Sequence, residues 1–90
     1  MLERPLEIVN ALGLHARAAA QLVRLAGSFR CRITLIRKDN GVTANAKSIL
    51  SVLYLAAGYG ISISVNADGI DENEAVAAIE DLFSSGFGEI

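Results

Sequence analysis

Residues 30–46 read RCRITLIRKDNGVTANA, and this stretch determines what kind of sheet the chain forms. Apolar and polar residues alternate over residues 30–35 and again over residues 42–46, which predicts two strands with one apolar face each. Between them, KDNG at residues 38–41 is typical of a hairpin turn, because Asn and Gly tolerate positive φ. The stretch therefore predicts an antiparallel hairpin that is covered on one side.

Further strand and helix segments flank this hairpin. A first strand is expected around residues 6–9 and a last strand over residues 61–67. Apolar residues favour helices over residues 16–26, over residues 48–55 and from residue 71 onward. The order β-α-β-β-α-β-α predicts an α+β fold, an open-faced β-sandwich with a four-stranded antiparallel sheet and three helices on one face. We expect residues 1–90 to form a single domain, since ninety residues are too few for two.

Two polar residues are candidate helix N-caps. Ser48 precedes the short middle helix, and Asp71 precedes the last helix with Glu74 three residues later, as in a capping box. The middle helix is apolar nearly all round and cannot bury every side chain against one sheet. A part of its apolar surface is therefore expected to face a partner.

Charged residues are divided unevenly along the chain. Residues 1–47 hold all eight basic residues and three acids, a net charge of +5, whereas residues 48–90 hold seven acids and no base. A basic half suggests a nucleic acid or an acidic protein surface as a partner. The basic residues lack the interleaved aromatic residues that stack on bases, so we expect no nucleic-acid partner.

Composition also limits the chemistry and the location. The chain has one cysteine, which excludes an internal disulfide, and one histidine, which leaves no cluster of metal ligands. We expect neither a metal nor a cofactor. The first residues, MLERP, are not followed by an apolar stretch, and no apolar run approaches the roughly 20 residues of a membrane-spanning helix. We therefore expect a cytoplasmic protein without membrane insertion.

The segment NALGLHAR, residues 10–17, carries the candidate chemistry. Gly13 permits a tight turn, and His15 then stands where a helix begins, among N–H groups without intrahelical acceptors. Arg17 lies in the first helical turn, so a helix dipole and a guanidinium meet at one imidazole, which suits a phosphate. These positive surroundings are expected to oppose protonation of the ring and to keep a lone pair available for attack on phosphorus. From spacing alone, a histidine that only caps the helix or faces solvent remains the alternative.

Three segments resemble one known family. GLHARAA at residues 13–19 resembles the active-site segment GLHxRPA of the HPr family, the phosphohistidine carriers of the bacterial phosphoenolpyruvate-dependent phosphotransferase system. AKSIL at residues 46–50 is similar to the stretch around the regulatory serine of that family. LFSSGF at residues 82–87 is similar to the tail of NPr, the nitrogen-branch paralogue. The resemblance covers nearly the whole chain and implies a carrier in a phosphotransfer relay rather than a stand-alone catalyst.

The resemblance implies roles for individual residues. His15 would accept the phosphoryl group through Nδ1 from phospho-enzyme I and pass it to a histidine of a IIA protein or domain, while Arg17 would steady the phosphate. Ser48 matches the serine phosphorylated by HPr kinase/phosphorylase in lineages that have this enzyme. Carriers that visit several partners are expected to be monomers. The surface implied to bind the partners comprises Arg24, Ile49, Leu50 and Leu53.

Several positions depart from the family pattern. Ala18 stands where the family has a proline, which leaves the first helical turn less preorganised but adds one N–H donor. Leu12 replaces an asparagine common in sugar-type members, and Gly27 and Ser51 replace two basic partner positions. These departures leave the cognate enzyme I, the IIA acceptor and the choice between the sugar and nitrogen branches open.

A second function from a different class is also compatible with the sequence. A regulatory interaction module of the same fold would act through Ser48 and the second helix without carrying phosphate. The intact pair of His15 and Arg17 favours the carrier over this alternative.

Overall fold

Four strands and three helices form the chain in a computed structural model, which describes residues 1–55 and 57–89. The elements in chain order are β1 (Leu2–Glu7), α1 (Ala16–Gly27), β2 (Arg32–Arg37), β3 (Thr43–Asn45), α2 (Ile49–Leu55), β4 (Ser62–Asp68) and α3 (Glu72–Ser84), followed by a short 3₁₀ turn (Gly86–Gly88). This order confirms the predicted β-α-β-β-α-β-α sequence of elements.

The strands form one antiparallel sheet in the order β1-β4-β2-β3. β4 lies in the centre and pairs with both β1 and β2, with Ile63 opposite Leu6 on one side and opposite Arg37 on the other. β1 is an edge strand, which explains how it accommodates Pro5 without breaking the sheet. The predicted four-stranded open sheet, and with it the α+β class, is confirmed.

The core lies between one face of the sheet and the helices. Alternate residues of the strands point into it, as the sequence pattern requires, and Cys31 is buried at its margin. The opposite face carries polar residues such as Arg32, which is exposed, and Ser64, whose hydroxyl donates to Glu3 at 2.8 Å. The fully buried core side chains include Ile33, Leu35, Ile63 and Val65 from the sheet and Leu22, Val52, Leu55, Ile79 and Phe83 from the helices.

The hairpin between β2 and β3 forms where it was predicted. Gly41 adopts a positive φ of 73°, and its N–H donates to the Arg37 carbonyl at 2.8 Å. The Arg37 N–H in turn donates to the Val42 carbonyl at 2.8 Å, which closes the loop. Thr34 lies opposite Asn45 in the register that follows.

The first strand begins earlier than predicted. β1 runs over Leu2–Glu7 instead of residues 6–9, because it pairs along the whole of β4, and that pairing stops where Glu7 meets Ser62. Charged residues and a proline in its first half hide this strand from a periodicity analysis. Ile8 is buried although it lies beyond the strand.

Asp71 is the residue before α3, as predicted, but the predicted capping bond and the pairing with Glu74 are wrong. The Asp71 carboxylate makes no capping bond within its own helix, as far as the described residues show, and accepts instead from the N–H of Arg30 at 2.7 Å and of Cys31 at 2.9 Å. These two N–H groups are thereby withdrawn from strand pairing, which is why β2 begins at Arg32 and not at residue 30. Asp71 therefore joins the start of α3 to the start of β2.

The predicted Ser48 N-cap agrees with the structure. α2 begins at Ile49, and the Ser48 hydroxyl accepts from the Ser51 N–H at 3.3 Å. Across the described residues, no helix has the length and apolar character required to cross a membrane.

Replacing Asp71 with alanine is expected to lower stability in a pH-dependent way. The N–H groups of Arg30 and Cys31 hold the pKa of the Asp71 carboxyl below its usual range. A carboxyl with a lowered folded-state pKa stabilises the fold above its unfolded pKa, about 3.9, and loses this effect as pH falls through the folded value.

Urea unfolding of the wild type, D71A and the control D81A at neutral pH and at about pH 3 measures this difference. We expect D71A to unfold at lower urea than D81A at neutral pH, with the gap narrowing at acid pH. Equal urea midpoints for D71A and D81A at neutral pH would contradict the assignment.

Candidate functional site

The loop between β1 and α1 is fixed by a close approach at Gly13. Gly13 has a φ of +65°, and a Cβ at this position would lie 2.7 Å from the Ala57 carbonyl oxygen and 2.7 Å from the Gly58 Cα. The Leu14 N–H donates to the same Ala57 carbonyl at 3.0 Å. The loop therefore packs directly on the chain that enters β4, and only glycine fits at the point of contact.

His15 is the residue that precedes the first turn of α1. Its backbone is extended, with φ −72° and ψ 179°, and its carbonyl accepts the first helical bond from the Ala19 N–H at 2.8 Å. The N–H groups of residues 16–18 belong to the first turn, where no intrahelical acceptor is available. The His15 side chain is 25% exposed, so the ring is partly accessible from solvent.

A carboxylate from the far end of the chain lies against this ring. Glu89 Oε2 contacts His15 Nε2 and accepts from Arg17 Nη2 at 3.3 Å, while Glu89 Oε1 accepts from the buried Asn10 Nδ2 at 2.9 Å. The helix dipole and Arg17 are therefore not the only charges near His15, because a negative group that was not predicted faces the ring as well. The sequence motif contains no sign of this contact, since 74 residues separate His15 from Glu89.

The hydrogen bonds at Glu89 change its acidity. The Asn10 amide, together with the donors of His15 and Arg17, lowers the pKa of Glu89 below the usual range of a glutamate. Glu89 is therefore ionised at neutral pH. An ionised carboxylate only accepts hydrogen bonds, so the His15 Nε2 atom that contacts it must be a donor.

A turn after α3 brings Glu89 to this position. Gly86, Phe87 and Gly88 are consecutive left-handed residues, with φ of 61°, 57° and 76°. Phe87 is buried against Phe83, with ring centroids 4.9 Å apart, and its carbonyl accepts from Gln21 Nε2 at 3.2 Å. Residues 85–89, which we call the C-terminal turn, are thus anchored to α1 one helical turn beyond Arg17.

Arg17, Gln21 and Arg24 follow one another at helical spacing on one face of α1, and this polar face is only partly free. Arg17 is exposed over 69% of its side chain, and Arg24 is exposed in the last turn of the helix. Gln21, which lies between them, is engaged by the C-terminal turn. The two arginines are seven residues apart and lie about 10 Å apart along the helix axis on one face.

Lys47, in the second motif, lies away from His15. Its Nζ donates to the Phe29 carbonyl at 2.7 Å, just beyond the end of α1. His15 lies at the opposite end of this helix, whose 12 residues span about 18 Å. Lys47 therefore stabilises the connection that follows α1 and contributes no charge to the imidazole.

The second motif presents apolar side chains to solvent. Leu50 is 77% exposed, and Ile49 and Leu53 are also exposed on α2. Tyr54 extends this surface at 84% exposure. Because Val52 and Leu55 of the same helix are buried, α2 has one face in the core and one unpartnered apolar face.

Two surface concavities differ in their relation to His15. One of about 520 Å³ lies beside the site and is lined by Ala11, Leu12, Arg17, Gln21, Phe87, Gly88 and Glu89. A larger one of about 800 Å³ lies over β2 and β3, where Arg30, Arg32, Asn45, Lys47 and Ser51 contribute to its lining. The larger concavity holds none of the residues that surround the imidazole.

Comparison with known proteins gives one consistent result. Residues 2–85 match a family described as the PTS HPr component phosphorylation site. The chain is 47% identical to the phosphocarrier protein HPr of Cupriavidus necator, over 99% of this chain and 98% of that one. It is 42% identical to the phosphocarrier protein NPr of Escherichia coli K12, over 97% and 96% of the two chains.

A solved structure shows the same agreement. The crystal structure of HPr-C-His from Thermoanaerobacter tengcongensis superimposes with a TM-score of 0.94 at 40% identity, over 100% of this chain and 99% of that one.

Substitution of Gly13 by alanine is expected to destabilise the chain by about 2 kcal/mol or more. The methyl group would overlap the Ala57 carbonyl, and the residue would keep a left-handed backbone that disfavours a side chain. Gly27 provides the matched control, because a Cβ there meets no atom within 4 Å. Thermal or urea unfolding of G13A and G27A measures the difference, and a G13A variant as stable as G27A would refute the close approach.

Proposed function

The chain belongs to the HPr family of the phosphotransferase system, and from this we propose that it carries a phosphoryl group on His15. Phospho-enzyme I donates the group to Nδ1 of His15, and a histidine of a IIA protein or domain receives it. The chain is a carrier that is regenerated in each cycle and needs no metal or cofactor of its own.

The observation that carries this proposal is the position of His15 at the start of α1. The first-turn N–H groups and the positive end of the helix dipole favour negative charge at this place. Arg17 follows His15 by two residues, and its guanidinium contributes a cationic donor in addition to the N–H groups of the helix. Phosphoryl oxygens on the ring would therefore meet the first-turn N–H groups, which the helix holds in place, and the Arg17 guanidinium within reach.

The partner surface is proposed from exposure and charge. Arg24 lies on the face of α1 that carries Arg17, and the exposed Ile49, Leu50 and Leu53 form an apolar face on α2. A partner that offers acidic groups to the arginines and apolar groups to α2 fits both. We further propose that residues 1–90 act as one monomeric unit in the cytoplasm and bind no nucleic acid.

Phosphorylation by enzyme I tests the function. Incubation with phosphoenolpyruvate and the cognate enzyme I should give an acid-labile, alkali-stable phosphate on the wild type and none on H15A. R17A should accept phosphate more slowly because a charge-assisted contact to the phosphoryl oxygens is lost. Absence of any phosphate on the wild type, with the cognate enzyme I and several homologues, would contradict the proposal and favour a regulatory module that carries no phosphate.

Ser48 is proposed as a second phosphorylation site, used for regulation. Its hydroxyl lies at the start of α2, next to the exposed apolar face that partners would contact. A phosphate at this place would add negative charge beside that face and change which partners bind.

An HPr kinase/phosphorylase with ATP should therefore give an acid-stable phosphate that S48A lacks. The control is H15A, which should retain this phosphate because the two sites are chemically independent. A loss of stability in S48A, without any kinase-dependent phosphate on the wild type, would show that Ser48 only caps the helix.

A further inference from the structure

The contact between Glu89 and His15 has a consequence for the chemistry of the ring. A neutral imidazole carries one N–H and one lone pair, and the two nitrogens exchange these roles. Because the carboxylate at Nε2 accepts a hydrogen bond, it favours the form with the proton on Nε2. The lone pair is then on Nδ1, the nitrogen that attacks phosphorus in the proposed transfer.

The geometry points to Glu89 as a positioning residue for the transfer, in which its carboxylate fixes the proton on His15 Nε2 and balances the charge of the phosphorylated ring. This inference rests on the proposed function. It also lies outside the matched family segment, which ends at residue 85.

The charge that the His15 ring gains during transfer explains why a carboxylate at Nε2 favours the reaction. The Nδ1 lone pair forms the new bond to phosphorus while the N–P bond of the donor histidine breaks and its electron pair returns to the donor. The His15 ring keeps its Nε2 proton and gains one positive charge, which Glu89 faces directly. In onward transfer the Nδ1–P bond breaks, the electron pair returns to Nδ1, and the ring becomes neutral again with its proton still on Nε2.

Without the carboxylate, the phosphorylated ring loses its Nε2 proton to solvent more readily. A neutral phosphoimidazole releases its phosphoryl group less readily than a phosphoimidazolium, since the electron pair then returns to an anionic ring. Glu89 therefore keeps the carrier ready to donate. The charged groups that face this carboxylate are His15 and Arg17, and Arg17 is expected to shift toward the phosphoryl oxygens after transfer.

Two features hold Glu89 in this position. The Asn10 side chain is fully buried, and its Nδ2 donates both to the Gly13 carbonyl at 2.9 Å and to Glu89 Oε1 at 2.9 Å. Because both of these partners are acceptors, the NH₂ end of the Asn10 amide faces the site. The C-terminal turn supplies the other constraint through the buried Phe87. The carboxylate is thus held from both sides, and its side chain is only 14% exposed.

The first experiment measures the ring without any phosphate. Correlation of the His15 ring protons and nitrogens by NMR, in samples labelled with ¹⁵N-histidine, identifies which nitrogen carries the proton. We expect the Nε2–H form in the wild type, and an increased population of the Nδ1–H form in E89Q, because a carboxamide can donate as well as accept. The control is E74Q, which makes the same change of charge in the first turn of α3, at the end of that helix away from Glu89.

The second experiment measures transfer. E89Q should pass phosphate to a IIA acceptor about tenfold more slowly than the wild type and E74Q at neutral pH. This is the effect expected if the phosphorylated ring of E89Q binds its Nε2 proton about tenfold more weakly. As pH rises, the transfer rate of E89Q should begin to fall at a lower pH than that of the wild type, because its phosphorylated ring loses the Nε2 proton more readily. Thermal unfolding of the same variants shows that the difference does not come from loss of the fold.

Each outcome decides the proposal. Ring signals of E89Q that match the wild type, or transfer rates that match across the pH range, would overturn it. A wild type that shows the Nε2–H form but takes no phosphate would refute the proposed function and leave the contact as a purely structural one.

Discussion

The close approach of Gly13 to the Ala57 carbonyl is the constraint on which the site depends. It places the loop before α1 on the chain that enters β4, and β4 is the central strand that pairs with both β1 and β2. Because Leu14 also donates to this carbonyl, the residues on both sides of the contact are fixed. His15 then precedes α1, with the free N–H groups of the first helical turn beside it, so the same contact that joins the loop to the sheet also positions the site.

The C-terminal turn completes the site by a different route. A left-handed conformation costs a residue with a side chain about 1–2 kcal/mol, and Phe87 adopts one. Burial of a phenylalanine side chain contributes about 1.5–3 kcal/mol, so packing on Phe83 offsets this strain. The balance favours a turn that carries Glu89 back across α1 to the imidazole. The C-terminal turn and the segment around His15 thereby meet at the place where the chemistry is proposed.

Local patterns in the sequence predicted the elements well, and contacts across the chain were missed. The hairpin, the helix after His15 and the exposed apolar face of α2 each follow from residues that are neighbours in sequence. The partners of Asp71 and Lys47 were not predicted, because the N–H groups of residues 30 and 31 and the Phe29 carbonyl are backbone atoms of distant segments. Backbone groups have no sequence signature. Glu89 was missed for a different reason: its partners are side chains, but a single acid near the end of the chain has no periodicity that could assign it to His15.

The central claim is that His15 carries the phosphoryl group on Nδ1 while Glu89 retains the proton on Nε2. The most direct measurement is the coupling between phosphorus and the ring nitrogens in the phosphorylated chain labelled with ¹⁵N-histidine, which is unambiguous because the chain has one histidine. The account predicts coupling to Nδ1 together with a proton on Nε2 at neutral pH. Coupling to Nε2, or phosphorus bound to a hydroxyl oxygen with no coupling to nitrogen, would contradict it.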